Sequence, residues 1–242
     1  MFTAARVTNN PQVIFFDAAG TLIEVRGSVG EIYCRFARRY GVEAQPDEIQ
    51  QSFIHSFSDQ SGLAPLAFPA NTPETELKAL EYGWWRDLVM AVFAGRDFPR
   101  FDRFFAEVFE FFRSDEAWVV FDDVEPALAA LSERGLRLGV ISNFDSRLFD
   151  LLRVLGLDGY FDSVHISTRV GAAKPDPAIF RAALDHHSVE PRQAMHIGDS
   201  WREDVEGAAK VGIQTIFLDR DGATADNQPA IRITNLIQLI NL

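Results

Sequence analysis

The second half of the chain alternates short apolar runs with helix-forming segments, and this alternation limits the possible folds more than any other feature. The predicted strands are 13–16, 136–141, 163–166, 194–197 and 213–218. The helices predicted after residue 120 are 123–134, 146–155, 177–187 and 201–211. Continuous apolar runs separated by helices are typical of parallel strands that are buried on both faces. We therefore predict an α/β fold with a doubly wound parallel sheet.

The stretch between the first two of these strands shows helical patterns only. Ser28 and Glu31 form a capping box, and the apolar residues behind them recur at helical spacing as far as Tyr40. Further helices are predicted at 46–57, 74–94 and 101–112. We predict a core domain of residues 1–25 and 116–242, which carries an all-helical cap domain, 26–115, after its first strand. The phenylalanine stripe at 101–112 is expected to pack inside the cap rather than to line a substrate pocket.

The charge and the apolar pattern exclude several classes of partner. A formal net charge of −12 repels nucleic acid and anionic lipid. The amino-terminal segment has no signal-like apolar stretch, and no run approaches the ~18 apolar residues of a membrane span. We therefore expect a cytoplasmic protein without nucleic-acid or membrane partners. Any phosphate site must supply local positive charge, and the three lysines are Lys78, Lys174 and Lys210.

Polar residues follow the predicted strands where each strand ends. Asp17 follows the first apolar run, Ser142 and Asn143 follow the second, and Asp199 follows the run at 194–197. Ligands of open α/β sheets bind beyond these carboxyl ends. Asp204 lies one helical turn beyond Asp199. Carboxylates gathered in one crevice repel each other, so a cation is needed among them, and an all-oxygen site suits Mg²⁺.

Four segments, in order, resemble the four motifs of the haloacid dehalogenase (HAD) superfamily. They are 17–22 (DAAGTL), 140–143 (VISN), 174–180 (KPDPAIF) and 196–204 (HIGDSWRED). The helical insert resembles the type 1 cap of subfamily IA. Within that subfamily, the segments at 26–31 and 142–147 resemble those of a REG-2-like group of proteins. The resemblance implies a Rossmann-like core and a hydrolase that acts on a small phosphorylated metabolite.

The resemblance also implies a nucleophile and a metal site. Asp17 would attack phosphorus and form an aspartyl-phosphate. Mg²⁺ would be held by Asp17, the backbone carbonyl of Ala19 and Asp199. Asp204 would orient the groups around the metal without binding it directly.

The same motifs imply the phosphate contacts. Thr21, Ser142 and the backbone N–H of Asn143 would bind phosphate oxygens. Lys174 would neutralise charge on the nucleophile and on the phosphate. The oligomeric state and the identity of the metabolite are not encoded in these motifs.

One position departs from the phosphatase pattern. HAD phosphatases carry an acid/base aspartate two residues after the nucleophile, where this chain has Ala19. General acid–base catalysis contributes roughly 10²–10⁴-fold, so turnover of alkyl phosphates should be weak.

The loss of this aspartate leaves three alternatives open. The first is a catalytically inactive binder of a phosphate ligand. The second is a phosphonatase, which needs a cap lysine near the start of the cap, whereas the insert offers only Lys78. The third is a 2-haloacid dehalogenase, which works without metal and whose fourth motif resembles Ser-x-Asn rather than the pattern around Asp199 and Asp204.

Overall fold

The computed structural model describes residues 11–57, 65–222 and 231–241, so residues 1–10, 223–230 and 242 of the predicted core domain and residues 58–64 of the predicted cap lie outside the described ranges. One sheet is built from β1 (Val13–Phe16), β4 (Arg137–Ser142), β5 (Ser163–Ile166), β6 (Ala194–Gly198), β7 (Gln214–Leu218) and β8 (Ile231–Ile233). Its six strands are parallel, in the order β5-β4-β1-β6-β7-β8. The predicted α/β class and the parallel sheet are confirmed.

Strand β1 occupies the middle of the sheet because each of its residues is apolar. Val13 and Phe15 pack into one interior cluster, and Ile14 and Phe16 pack into another on the opposite face. The helices of this part of the chain are α5 (Val124–Glu133), α6 (Arg147–Val154), α7 (Ser167–Val170), α8 (Pro177–His187) and α9 (Gly207–Ala209). Helices therefore cover both faces of the sheet, as a central strand whose residues are all buried requires.

The insert is a separate helical layer with an aromatic interior. Its helices are α1 (Val29–Arg38), α2 (Pro46–Phe57), α3 (Glu74–Val92) and α4 (Phe101–Phe111). The predicted capping box of Ser28 and Glu31 is present at the start of α1. The ring of Tyr33 contacts rings from three other segments of the insert, with Phe53 at 6.1 Å and Phe104 at 6.4 Å. Edge-to-face pairs of this kind stabilise an interior beyond the burial of their area.

Two short strands, β2 (Ile23–Val25) and β3 (Trp118–Val120), form an antiparallel ladder where the chain enters and leaves the insert. Three residues each are too few for a strand pattern to show in the sequence, and both strands were missed. Strand β8 was missed for the same reason. The cap limits of 26 and 115 fall just inside the ladder, and we retain them as a proposal.

The segment after β6 corrects one prediction. A continuous helix was expected over 201–211, but the chain forms a π-helical segment, Trp201–Glu206, followed by the short α9. Such wider turns often occur at functional sites. Among the described helices, none has the length and apolar character needed to cross a bilayer.

Candidate active site

The carboxyl ends of the central strands bring the predicted polar residues to one edge of the sheet. Asp17 directly follows β1, and its backbone N–H donates to the Ile197 carbonyl of the neighbouring strand β6 at 2.9 Å. Asp199 follows β6, and Ser142 is the last residue of β4. Because β4, β1 and β6 are adjacent, these residues meet although the sequence separates Asp17 from the other two by more than a hundred positions.

Lys174 connects two of the carboxylates. Its Nζ donates to Asp17 Oδ1 at 2.7 Å and to Asp204 Oδ1 at 2.6 Å, and its side chain is only 1% exposed. Burial alone would lower the pKa of Lys174, but the charges of Asp17 and Asp204 outweigh burial and hold that pKa above its usual value. The ammonium group is therefore charged at neutral pH, and it fixes the orientation of the Asp17 carboxylate.

Asp204 acts as the anchor of this lysine. Besides Lys174, its carboxylate contacts His196 Nε2 at 2.9 Å and accepts from the Ser200 backbone N–H at 2.9 Å. Burial opposes ionisation of Asp204, but Lys174 and His196 overcome it and keep its pKa below the usual range. His196 is thus a hydrogen-bonded interior histidine. With three partners, Asp204 is a positioning group.

Two glycines permit the close approach of the acidic side chains. Gly20 has φ +87°, and a Cβ there would lie 2.4–2.8 Å from the atoms of the Asp199 carboxylate. At Gly198, a Cβ would lie 2.1 Å from Cγ of Asp204. Any larger residue would therefore displace the carboxylates. Thr21, predicted to bind phosphate, donates to Asp199 Oδ1 at 3.1 Å and so helps to hold this carboxylate.

Asp17, Asp199 and Asp204 form a cluster that could hold a metal ion, because one ligand atom from each lies within 4.8 Å of the others. Three carboxylates face one ammonium, which leaves negative charge uncompensated. Burial, together with repulsion from Asp17 and Asp204, raises the pKa of Asp199 to about 7. Burial likewise raises the pKa of Asp17, and repulsion from Asp204 adds to this shift. A divalent cation would relieve this repulsion.

The turn after β1 suits the same cation. The Ala18 carbonyl accepts from the backbone N–H groups of Thr21, Leu22 and Ile23. The Ala19 carbonyl accepts none of these turn bonds, so an oxygen at the predicted metal-ligand position is not consumed by the turn. Hard carboxylate and carbonyl oxygens are the ligands that Mg²⁺ prefers. The residues present therefore fit the ion that the sequence predicted.

Ser142 and Asn143 border the cluster. Both line the cavity above Asp17. The Asn143 side chain accepts from the Lys174 backbone N–H at 2.6 Å and donates to the Lys174 carbonyl at 3.0 Å. It also donates to Glu203 at 3.0 Å. Asn143 thus fixes the lysine loop, while Glu203, which the sequence analysis did not single out, holds Asn143 in place.

A cavity of about 590 Å³ extends from Asp17 into the insert. Phe105, Phe109 and Phe112 line it, although the phenylalanine stripe was expected to serve only as packing. The expectation was half right, since Phe104 and Phe105 are buried in the insert's interior. Helix α4 presents more than one face to aromatic neighbours, so a single apolar stripe contributes both to the interior and to the cavity wall.

A polar contact between insert and core was also missed. Asp145 is fully buried, and it accepts from Arg147 Nη2 at 2.6 Å and from the Trp85 indole at 2.5 Å. Nearby, Glu81 of α3 accepts from the Ser146 hydroxyl at 2.9 Å and from the Thr168 hydroxyl at 2.6 Å. Beyond Ser142 and Asn143, the segment 142–147 was used in the sequence analysis only for its similarity to a subgroup. The sequence signal that could have indicated this contact is the pair of Asp145 and Arg147, which lie just after the end of β4.

Comparison with known proteins agrees with this geometry. The family model described as haloacid dehalogenase-like hydrolase matches residues 11–212. The chain belongs to the haloacid dehalogenase-like hydrolase family. Haloacid dehalogenase-like hydrolase domain-containing protein 3 of Mus musculus is 36% identical over 225 residues, which cover 90% of this chain and 87% of that protein. The HAD fold and its hydrolase class therefore apply to this chain.

Two further relatives differ in their names. Phosphoserine phosphatase of Thermus thermophilus is 33% identical over 181 residues, covering 73% of this chain and 72% of the relative. Rhythmically expressed gene 2 protein of Drosophila melanogaster is 28% identical over 212 residues, covering 83% and 80%. Among solved structures, a 2-haloacid dehalogenase from Pseudomonas syringae is 26% identical with a TM-score of 0.63, covering 96% of this chain and 97% of that one. The subfamily IA and REG-2-like assignments stay predictions.

Proposed function

We propose that this HAD protein is a Mg²⁺-dependent, phosphatase-type hydrolase that acts on a small phosphorylated metabolite through an aspartyl-phosphate on Asp17. The observation that carries the proposal is the bridge from Lys174 Nζ to Asp17 and Asp204 at 2.7 and 2.6 Å, beside the Asp199 carboxylate. A nucleophilic carboxylate, a buried ammonium and an acidic cluster together suit transfer of a phosphoryl group, which depends on positioning and on charge neutralisation.

Each residue has a defined part in this reaction. A carboxylate oxygen of Asp17 attacks phosphorus, and the bond to the leaving oxygen breaks with its electron pair remaining on that oxygen. Water then attacks the phosphorus of the aspartyl-phosphate, which breaks the bond to Asp17, releases inorganic phosphate and restores the carboxylate. Lys174 holds Asp17 in place and offsets its charge. Ser142 and the backbone N–H of Asn143 bind phosphate oxygens. When bound by Asp17, Asp199 and the Ala19 carbonyl, Mg²⁺ would supply stabilisation of the charge on the transferring group.

The similar proteins and the residues of the cavity favour a phosphatase over a phosphonatase or a 2-haloacid dehalogenase. The phosphoserine phosphatase similarity supports phosphoryl chemistry. A phosphonatase needs a lysine in the site, but Lys78 pairs with Glu74 on an exposed face of α3 and does not line the cavity. A metal-free dehalogenase has no use for the acidic pair of Asp199 and Asp204. The inactive binder remains a competing hypothesis because of Ala19.

The proposal is tested with p-nitrophenyl phosphate and acetyl phosphate, with Mg²⁺ and with EDTA. We expect phosphate release only with Mg²⁺, and we expect Asp17→Asn to abolish it because the amide cannot attack phosphorus. Asp185→Asn, on the exposed end of α8, is the matched control and should keep wild-type activity. Mass spectrometry of the quenched wild-type reaction should find one added phosphoryl group on the peptide that contains Asp17.

The binder hypothesis gives a different result in the same experiment. A binder would be stabilised thermally by Mg²⁺ with phosphate but would release no product. Turnover that persists in EDTA, or in Asp17→Asn, would contradict the proposal itself.

A further inference from the structure

We propose that the organic part of the substrate is an uncharged aromatic group, so that the enzyme prefers aryl phosphate monoesters; this inference rests on the proposed phosphatase function. It combines the aromatic cavity with the alanine at position 19. The cavity concerns the organic group of the substrate and Ala19 concerns its leaving oxygen, and both favour aryl phosphate monoesters.

The cavity has the size and lining of a pocket for an aromatic ring. Its volume of about 590 Å³ falls in the usual range for small-molecule sites. The aromatic side chains on its wall include Phe53, Phe57, Trp85, Phe105, Phe109 and Phe112. Asp17 lies at one end of the same cavity, so a phosphoryl group placed there directs its organic part toward these rings. Rings bound among rings gain edge-to-face and stacked contacts.

The charges on the wall argue against an anionic organic part. Arg147 is the single cation among the described residues that line the cavity. Its guanidinium group is already engaged by Asp145, by the Phe109 carbonyl at 3.2 Å and by the Phe109 ring, whose centroid is 4.0 Å away. Glu24 and Glu203 also line the cavity and would repel a carboxylate. Among the described residues of the cavity wall, the carboxylate group of phosphoserine would therefore find no cation that is not already engaged.

The second observation concerns the leaving oxygen. Ala19 lines the cavity beside Asp17 and cannot donate a proton to the departing group. The leaving oxygen must then depart as an anion. A phenol has a pKa of about 10, as in tyrosine, and departs as an anion far more readily than an alkoxide. Ala19 therefore favours aryl esters for a chemical reason that is independent of the shape of the cavity.

Four substrates separate these two contributions, all assayed with Mg²⁺. Acetyl phosphate has a good leaving group without a ring, and benzyl phosphate has a ring on a poor leaving group. 1-Naphthyl phosphate has both properties, and glycerol phosphate has neither. We expect kcat/KM for 1-naphthyl phosphate to exceed that for glycerol phosphate by at least about 10³-fold, with benzyl and acetyl phosphate between them. The ring should strengthen binding and the leaving group should speed formation of the aspartyl-phosphate, and both effects appear in kcat/KM because hydrolysis of the shared intermediate is the same for every substrate.

A variant links the ring preference to the cavity wall. Phe109→Leu should lower kcat/KM for 1-naphthyl phosphate about tenfold more than for acetyl phosphate, because an aromatic contact is lost. Phe98→Leu is the matched control, since Phe98 packs in the insert away from the cavity, and it should leave the ratio of the two substrates unchanged. Equal losses for both substrates in Phe109→Leu would contradict the inference.

A binding measurement keeps the inference separate from the proposed function. Titration of the Mg²⁺-loaded protein with 1-naphthylmethylphosphonate should give at least about tenfold tighter binding than methylphosphonate. Tighter binding of the aromatic phosphonate without turnover of any substrate would contradict the phosphatase proposal but support an aromatic ligand. A kcat/KM for phosphoserine or glycerol phosphate equal to that for 1-naphthyl phosphate would contradict the aromatic inference but leave the phosphatase proposal standing.

Discussion

The core and the cap of this protein contribute to the site in different ways, the core through a few fixed side chains and the cap through many packed rings. In the core, backbone topology places Asp17, Ser142 and Asp199 at strand ends, and hydrogen bonds of 2.6–2.7 Å hold Lys174 between its partners. In the cap, no single residue dominates, and packed rings form both the interior and the cavity wall. If the proposed function holds, the chemistry of the site depends on a few fixed positions, whereas its selectivity is shared among many side chains.

The largest expected effect comes from the core. Lys174→Met should lower kcat about 10³-fold for every substrate, because both the charge and the orientation of Asp17 are lost. In Mg²⁺-free buffer, urea unfolding should also show a free energy of unfolding reduced by about 3 kcal/mol, since two buried carboxylates lose their partner. Lys210→Met, at an exposed helix end, is the control. A loss confined to one substrate would break the contrast between core and cap.

The next effect is a gain at the boundary of the two regions. Ala19→Asp restores a proton donor beside Asp17 and should raise kcat/KM for glycerol phosphate about 10²-fold. The gain on 1-naphthyl phosphate should be below about tenfold, because its leaving oxygen needs little help. Ala19→Asn matches the size but cannot transfer a proton, and it should give no gain. An equal increase with both substitutions would show that position 19 acts by shape alone.

A moderate effect is expected where the cap contacts the core. Trp85→Phe removes the indole donor to the buried Asp145 carboxylate. The free energy of unfolding should fall by about 1–2 kcal/mol, as for a hydrogen bond to a charged group. Trp201→Phe removes an exposed hydrogen bond to Glu206 and should cost less. Equal costs in urea unfolding would mean that the buried contact does not tie the two regions together.

The smallest effect tests the cap alone. Ser28→Ala deletes the capping contact with the Glu31 backbone N–H and should reduce the free energy of unfolding by about 1 kcal/mol. The value of kcat should not change. Ser132→Ala, on the exposed face of α5, should be neutral or slightly stabilising because alanine favours helix interiors. A fall in kcat with Ser28→Ala would show that chemistry and cap stability are coupled.

The sequence revealed the two regions unequally. Asp17, Asp199 and Lys174 could be found because strand ends and short motifs identify positions on a known type of sheet. The position of Asn143 beside the cluster could be predicted but its partner Glu203 could not, since a side-chain contact across sixty residues leaves no local pattern. The cavity wall was missed because periodicity shows which residues are apolar, but not whether a ring meets another ring or an open space.

The ladder of β2 and β3 has a consequence for how such proteins diversify. Three register pairs, from Ile23 with Val120 to Val25 with Trp118, bring the outgoing and returning strands side by side. Because the ladder joins the two ends of the insert, we expect that the length of chain between them can change while the pairing is kept, provided that contacts such as that of Trp85 with Asp145 are preserved. We therefore expect that an insert with a different cavity could be attached at this ladder without changing the strands that Asp17 and Asp199 follow.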